Sequence, residues 1–82
     1  GNIKKVQVAF NGDFPEELHK KLDILHLSKT GSVYSLIVKG NSAEETIKEY
    51  NPLICDIVGL TLEEVFIYEL GGLGYDFENI LL

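Results

Sequence analysis

The stretch that decides the fold reads Ile24-Leu25-His26-Leu27-Ser28-Lys29-Thr30-Gly31-Ser32-Val33-Tyr34-Ser35-Leu36-Ile37-Val38-Lys39. Its second half is rich in β-branched and aromatic residues, and in its first half leucines alternate with polar residues. This pattern predicts two strands, at 24–28 and 33–39. The residues between them include a glycine and are typical of a hairpin turn. We therefore expect an antiparallel hairpin in the middle of the chain, with Leu25 and Leu27 on one face of its first strand.

Upstream of the hairpin, the sequence predicts one strand and one helix. Residues 3–10 alternate between apolar and polar side chains, and Val6, Val8 and Phe10 fall on one side, as in a strand with one wet face. A short helix is expected at about 15–22, because a proline and two glutamates suit its first turn and two lysines suit its last.

Downstream of the hairpin, the sequence predicts a second helix and a fourth strand. The helix opens at Ser42, which has capping-box spacing to Glu45, so that each residue can satisfy a free backbone amide of the other. The helix ends at Asn51-Pro52, because the residue before a proline is biased away from helical geometry. A strand at about 54–60 follows.

The order of these elements predicts the fold class. A β-α-β-β-α-β order is typical of an α+β, ferredoxin-like split sheet with both helices on one face. We assign this core to about residues 3–60, and expect a C-terminal helix at about 61–70 and a tail at 71–82. All of it forms a single domain, 1–82, because 82 residues suffice for one domain and are too few for two.

Charge and composition exclude several classes of function. The formal net charge is −6, and all seven basic residues are lysines. Nucleic-acid binding draws on basic patches with arginine, so we expect no nucleic-acid partner. No apolar run approaches the length that spans a bilayer, so we expect no direct membrane insertion.

Motifs that carry catalysis or bind metal are missing from the sequence. No glycine is followed by lysine and then serine or threonine, as a phosphate-binding loop requires. His19 and His26 lack metal-ligand spacing, and Cys55 stands alone in an apolar stretch. We therefore expect no catalytic residue, no metal ligand and no cofactor site, and we interpret Cys55 as a small buried hydrophobe.

The predicted C-terminal helix carries the candidate interface. Thr61 and Glu64 again have capping-box spacing. A helix that is apolar most of the way round needs covering on more than one side. We expect one side to meet the sheet or its helices, and the other either to bind a partner or to be covered by the tail, 71–82. The candidate interface residues are Leu62, Val65, Phe66, Ile67 and Tyr68.

The predicted sheet also has a polar face with a potential role. Lys5 and Gln7 of the first strand, with His26 and Ser28 of the second, are expected to share the face opposite the helices. We interpret this open face as a candidate surface for ligand binding or dimerisation.

The end of the chain resembles a known family. Leu60-Thr61-Leu62-Glu63-Glu64-Val65-Phe66-Ile67-Tyr68 resembles a segment near the C-terminus of many bacterial ABC transporter ATP-binding subunits. Gly74-Tyr75-Asp76 with Asn79-Ile80-Leu81 resembles the terminus of one branch that is common in Gram-positive bacteria. The resemblance implies that the chain is a C-terminal accessory domain of such a subunit. ATP and Mg²⁺ would be bound by the upstream nucleotide-binding domain, and none of that domain's motifs maps onto this chain.

This resemblance sets the expected function. The domain would dock on its own nucleotide-binding domain or on the dimer mate, and act indirectly on a transmembrane permease subunit. It would lie in the cytoplasm, peripheral to the cell membrane, and regulate or stabilise an export ATPase without catalysis of its own. Two alternatives stay open: a ferredoxin-like sensor of a small ligand, which needs a pocket with convergent polar groups, and a stand-alone homodimerisation module.

Overall fold

The computed structural model describes residues 2–71, which form a small α+β domain. The strands are β1 (Ile3–Ala9), β2 (Asp23–Thr30), β3 (Val33–Lys39) and β4 (Ile54–Val58). The helices are α1 (Leu18–Lys21), α2 (Ala43–Lys48) and α3 (Leu62–Glu64), and α3 continues as a π-helical stretch, Val65–Glu69. We refer to α3 and this stretch together as the C-terminal helix, 62–69. The predicted tail lies outside the described residues from Gly72 onward.

The four strands form one open sheet in the order β2-β3-β1-β4, and all neighbouring strands are antiparallel. The predicted hairpin of β2 and β3 is confirmed. Thr30 pairs with Val33 across a two-residue turn, and Gly31 has a φ of 61° in that turn. Glycine reaches this left-handed conformation without steric cost, which explains why the hairpin turns at this residue.

A β-bulge in β2 corrects the predicted alternation of that strand. Ile24 pairs with Val38 but His26 pairs with Ile37, so Leu25 is an extra residue without a partner on β3. The bulge breaks the two-residue period. Ile24 and Leu27 pack against the core, and Leu25 is exposed. The prediction that Leu25 and Leu27 share one face is therefore wrong.

The main core lies between one face of the sheet and both α1 and α2. Val6 and Val8 of β1 and Leu36 and Val38 of β3 face this core, as the alternation of β1 predicts, and Phe10 packs at its margin. The helices and the loop before α1 contribute the remaining buried residues: Phe14, Leu18, Ala43 and Ile47.

The two predicted capping boxes have different outcomes. At Thr61 both reciprocal hydrogen bonds form. At Ser42 the side chain makes no capping bond, because its backbone, with φ −106° and ψ 10°, is not in the extended conformation that directs an N-cap hydroxyl toward the first turn. The capping box predicted for Ser42 and Glu45 is therefore wrong, although α2 itself begins at the next residue.

Candidate functional site

The C-terminal helix lies on the sheet face opposite α1 and α2. The clearest sign is Ile37, which is 2% exposed, while Leu36 and Val38 on either side of it are buried in the main core. Successive residues of a strand point to opposite faces, so Ile37 must be covered from the other side. Ile67 and Tyr68 of the C-terminal helix line a cleft together with Ile37. One side of this helix therefore meets the sheet, as predicted, and the sheet face is less open than the sequence indicates.

An ion pair attaches the start of this helix to β1. The Lys5 Nζ atom donates a hydrogen bond to Glu64 Oε2 at 2.8 Å, and the two side chains are about one-fifth exposed, at 20% and 21%. The Thr61 amide donates to Glu64 Oε1 at 2.8 Å, and the Glu64 amide donates to Thr61 Oγ1 at 3.1 Å. One carboxylate thus caps the helix and also binds the sheet. The sequence predicts only the capping role of Glu64.

This arrangement makes part of the stability depend on pH. The hydrogen bond from Lys5 lowers the pKa of the Glu64 carboxyl, and the hydrogen bond from the Thr61 amide acts in the same direction. The folded-state pKa is therefore below the ordinary value of 4.5. The stabilisation is fully present above that ordinary value and is lost as the pH falls through the folded pKa.

We expect Lys5→Gln to reduce the loss of stability at acidic pH, because Glu64 loses the partner that favours its ionised form. The measurement is the melting temperature of wild type and variant from neutral pH to about pH 2. Lys48→Gln is the matched control, since it removes an exposed ion pair with Glu44 at 3.6 Å. If wild type and Lys5→Gln lose the same stability at acidic pH, this pH dependence does not come from the pairing of Glu64 with Lys5.

A polar cleft lies between the sheet and the C-terminal helix, with a volume of about 240 Å³. In the sheet, Lys5, Ile37 and His26 form one row across three strands, and Ser35 and Ser28 are paired in the next row. The helix contributes the opposite wall. The lining residues are Lys5, His26, Ser28, Ser35, Ile37, Glu63, Glu64, Ile67 and Tyr68.

The cleft brings together three of the four polar residues that were expected on this face. Lys5, His26 and Ser28 line it, and the rings of His26 and Tyr68 are 6.1 Å apart. Gln7 pairs with Ser35 on the same face but does not line the cleft. The sequence reading missed Ser35, although the two-residue period of β3 places it on the face of Ile37.

The outer side of the C-terminal helix is an apolar surface. Leu62 is 86% exposed. A concavity of about 500 Å³ lies on this side, lined by Leu62, Val65, Phe66 and Leu70 together with Glu63. We call these four apolar residues the outer surface. The Leu70 amide bonds to the Val65 carbonyl at 3.2 Å, which is the wide i→i+5 turn of a π-helix.

The candidate interface residues therefore divide between two sides. Leu62, Val65 and Phe66 belong to the outer surface, whereas Ile67 and Tyr68 line the polar cleft. The two groups can have different roles, because one faces outward and the other faces the sheet.

Cys55 and His19 have side chains of chemically reactive types, and both pack against residues of the core. Cys55 is half-buried on β4 opposite Val8. Burial raises the pKa of its thiol, and the charge of Glu44 acts in the same direction, which disfavours the reactive thiolate. The His19 ring packs against Phe14 with centroids 5.3 Å apart. Within residues 2–71, no three His, Cys, Asp or Glu side chains group so as to hold a metal ion.

No helix between residues 2 and 71 combines the length and the apolar character that crossing a membrane requires. In comparisons with known proteins, no family model, no curated protein and no solved structure matches this chain.

Proposed function

We propose that the chain is an accessory domain of a bacterial ABC transporter ATP-binding subunit, and that it docks on the nucleotide-binding domain of that subunit through the outer surface. The observation that carries the proposal is the 86% exposure of Leu62 beside an apolar concavity. The resemblance of 60–68 to the C-terminal segment of such subunits covers this same helix.

Apolar surface that stays in water is unfavourable by about 25 cal/mol per Å². A contiguous exposed apolar patch therefore marks an interaction site more often than a scattered leucine does. The outer surface is contiguous because Leu62, Val65, Phe66 and Leu70 line one concavity. Its backbone is held in place by the Thr61 cap and by the ion pair of Lys5 with Glu64. A surface held in its binding conformation loses less entropy when a partner binds.

The fold that we propose for the core is the ferredoxin-like split sheet. Both β1 and β2 are antiparallel to β3, which lies between them, so β1 and β2 are parallel to each other. By the same reasoning β3 and β4 are parallel and β1 separates them. Each such pair is connected by a segment that contains α1 or α2. This arrangement supports two interleaved β-α-β units with helices on one face.

We propose that the domain works within a larger transporter complex. ATP and Mg²⁺ are bound by the upstream nucleotide-binding domain, and a transmembrane permease subunit is an indirect partner. The domain lies on the cytoplasmic side, peripheral to the membrane through the complex. The dimer mate of the subunit, a second copy of this domain and the tail, 71–82, are the competing occupants of the outer surface, and the experiments below separate them from the upstream domain.

We expect Leu62→Asp to weaken docking in the full-length ATP-binding subunit by about tenfold or more, because burying a leucine side chain contributes roughly 1.5–3 kcal/mol. ATP turnover and subunit dimerisation are measured together with limited proteolysis of the connection between the domains. Changed turnover and faster proteolysis in a dimeric subunit support docking on the upstream domain. A loss of dimerisation would instead assign the surface to the dimer mate.

Leu53→Asp is the matched control, because Leu53 is 68% exposed and lies outside the outer surface. It should leave turnover and proteolysis unchanged. Unchanged behaviour of a folded Leu62→Asp subunit would overturn the proposal. If the isolated 82-residue chain dimerises and Leu62→Asp prevents this, the surface binds a second copy.

A further inference from the structure

We infer that the polar cleft binds a small molecule that carries a protonated primary amine on a short hydrocarbon stem. The inference concerns a different concavity from the docking proposal, because the cleft lies on the sheet side of the C-terminal helix and the outer surface faces away from it. Glu63 borders both concavities.

The charges in the cleft favour a cationic ligand. Two carboxylates, Glu63 and Glu64, and one ammonium, Lys5, line it. Lys5 is matched to Glu64 at 2.8 Å. Glu63 is exposed at the rim of the cleft and, within residues 2–71, has no hydrogen bond or ion pair. One negative charge is therefore unmatched. The formal charge of the chain, −6, adds to the attraction for cations and opposes the entry of anions.

Lys5 itself shows what the cleft accommodates. Its side chain is a hydrocarbon stem that ends in an ammonium group, and Glu64 accepts a hydrogen bond from that ammonium inside the cleft. A ligand of the same chemistry would bind Glu63. The hydroxyl groups of Ser28 and Ser35 can accept further hydrogen bonds from its N–H groups.

The walls suit the rest of such a ligand. The rings of His26 and Tyr68 lie near each other with centroids 6.1 Å apart, and an aromatic face attracts a cation. Ile37 and Ile67 offer apolar contact to a short stem. The cleft volume of about 240 Å³ corresponds to roughly eight water molecules at about 30 Å³ each. The cleft can therefore hold only a few non-hydrogen atoms of a ligand.

The test titrates the 82-residue chain with propylammonium chloride and follows backbone amide shifts by NMR. We expect saturable shifts at Ser28, Ser35 and Ile67 with millimolar affinity, as suits so small a ligand. Propan-1-ol and sodium propionate are the matched neutral and anionic probes, and both should bind more weakly. Equal shifts with all three probes, or no saturable shift with propylammonium, would overturn the inference.

One variant and a matched control test the role of Glu63. Glu63→Gln should weaken propylammonium binding about tenfold, because it removes a charge-assisted hydrogen bond. Glu45→Gln changes an exposed glutamate in the first turn of α2 and should have no effect. Unchanged affinity in Glu63→Gln contradicts the inference.

Discussion

Leu18→Ala is expected to lower the free energy of unfolding by about 3 kcal/mol, the middle of the range for buried leucines. Leu18 begins α1 and is 0% exposed in the main core. Truncation removes apolar contacts and leaves a cavity, because the sheet and α2 can move inward only in part. Domains of this size have little stability to lose, often about 5 kcal/mol in all, so a substantial fraction of the variant should be unfolded on mild heating.

Chemical denaturation monitored by circular dichroism measures this loss. Leu53→Ala provides the control, because Leu53 is 68% exposed, and surface changes of this kind stay within about 0.5 kcal/mol. A Leu18→Ala variant that loses less than about 1 kcal/mol would mean that α1 does not pack on the sheet as described.

Ile37→Ala is the second change with a large expected effect, a loss of about 2–4 kcal/mol. Its cause differs from that of Leu18→Ala, because Ile37 is buried on the other face of the sheet, beneath the C-terminal helix. We expect the loss to appear first as weaker attachment of that helix. Hydrogen exchange should therefore rise at the amides of 62–69 before it rises in β1 and β3.

A double-mutant cycle with Ile67→Ala tests whether the two isoleucines stabilise the same attachment. They line the same cleft. The stability lost in the double variant should therefore differ from the sum of the two single losses by at least about 0.5 kcal/mol. Ile37→Ala and Leu18→Ala lie on opposite faces of the sheet and should add. Strict additivity of Ile37→Ala and Ile67→Ala would place the C-terminal helix elsewhere on the sheet.

Local patterns in the sequence predicted most of the strands and helices. The β2–β3 hairpin followed from alternation around Gly31, because a turn and two strand patterns are encoded within one short stretch. The bulge at Leu25 could not be predicted in this way, since it depends on how β2 pairs with β3. The two capping boxes show the same limit: Ser42 and Thr61 have equivalent spacing to a glutamate, but only Thr61 has the backbone conformation that a cap needs.

The candidate site was predictable only in its parts. Alternation placed Lys5, His26 and Ser28 on one face of a sheet. Glu63 reaches the same cleft because the C-terminal helix lies over that face. No local sequence pattern predicts this position of the helix. The division of the candidate interface residues between the cleft and the outer surface likewise depends on this position.

The place of β1 in the sheet has a consequence for how the domain folds. β1 is the first strand in the chain, but it lies between β3 and β4 and pairs with residues about thirty and fifty positions later. Pairing between residues so far apart in the sequence slows folding. The long loops between them lose conformational entropy on closing before the strand contacts can stabilise the structure. During synthesis, β1 cannot pair until β3 and β4 have been made, whereas the β2–β3 hairpin can form without the other strands. We therefore expect the β2–β3 hairpin to nucleate folding. We expect β1, although it precedes the other strands in the sequence, to be among the last strands to pair.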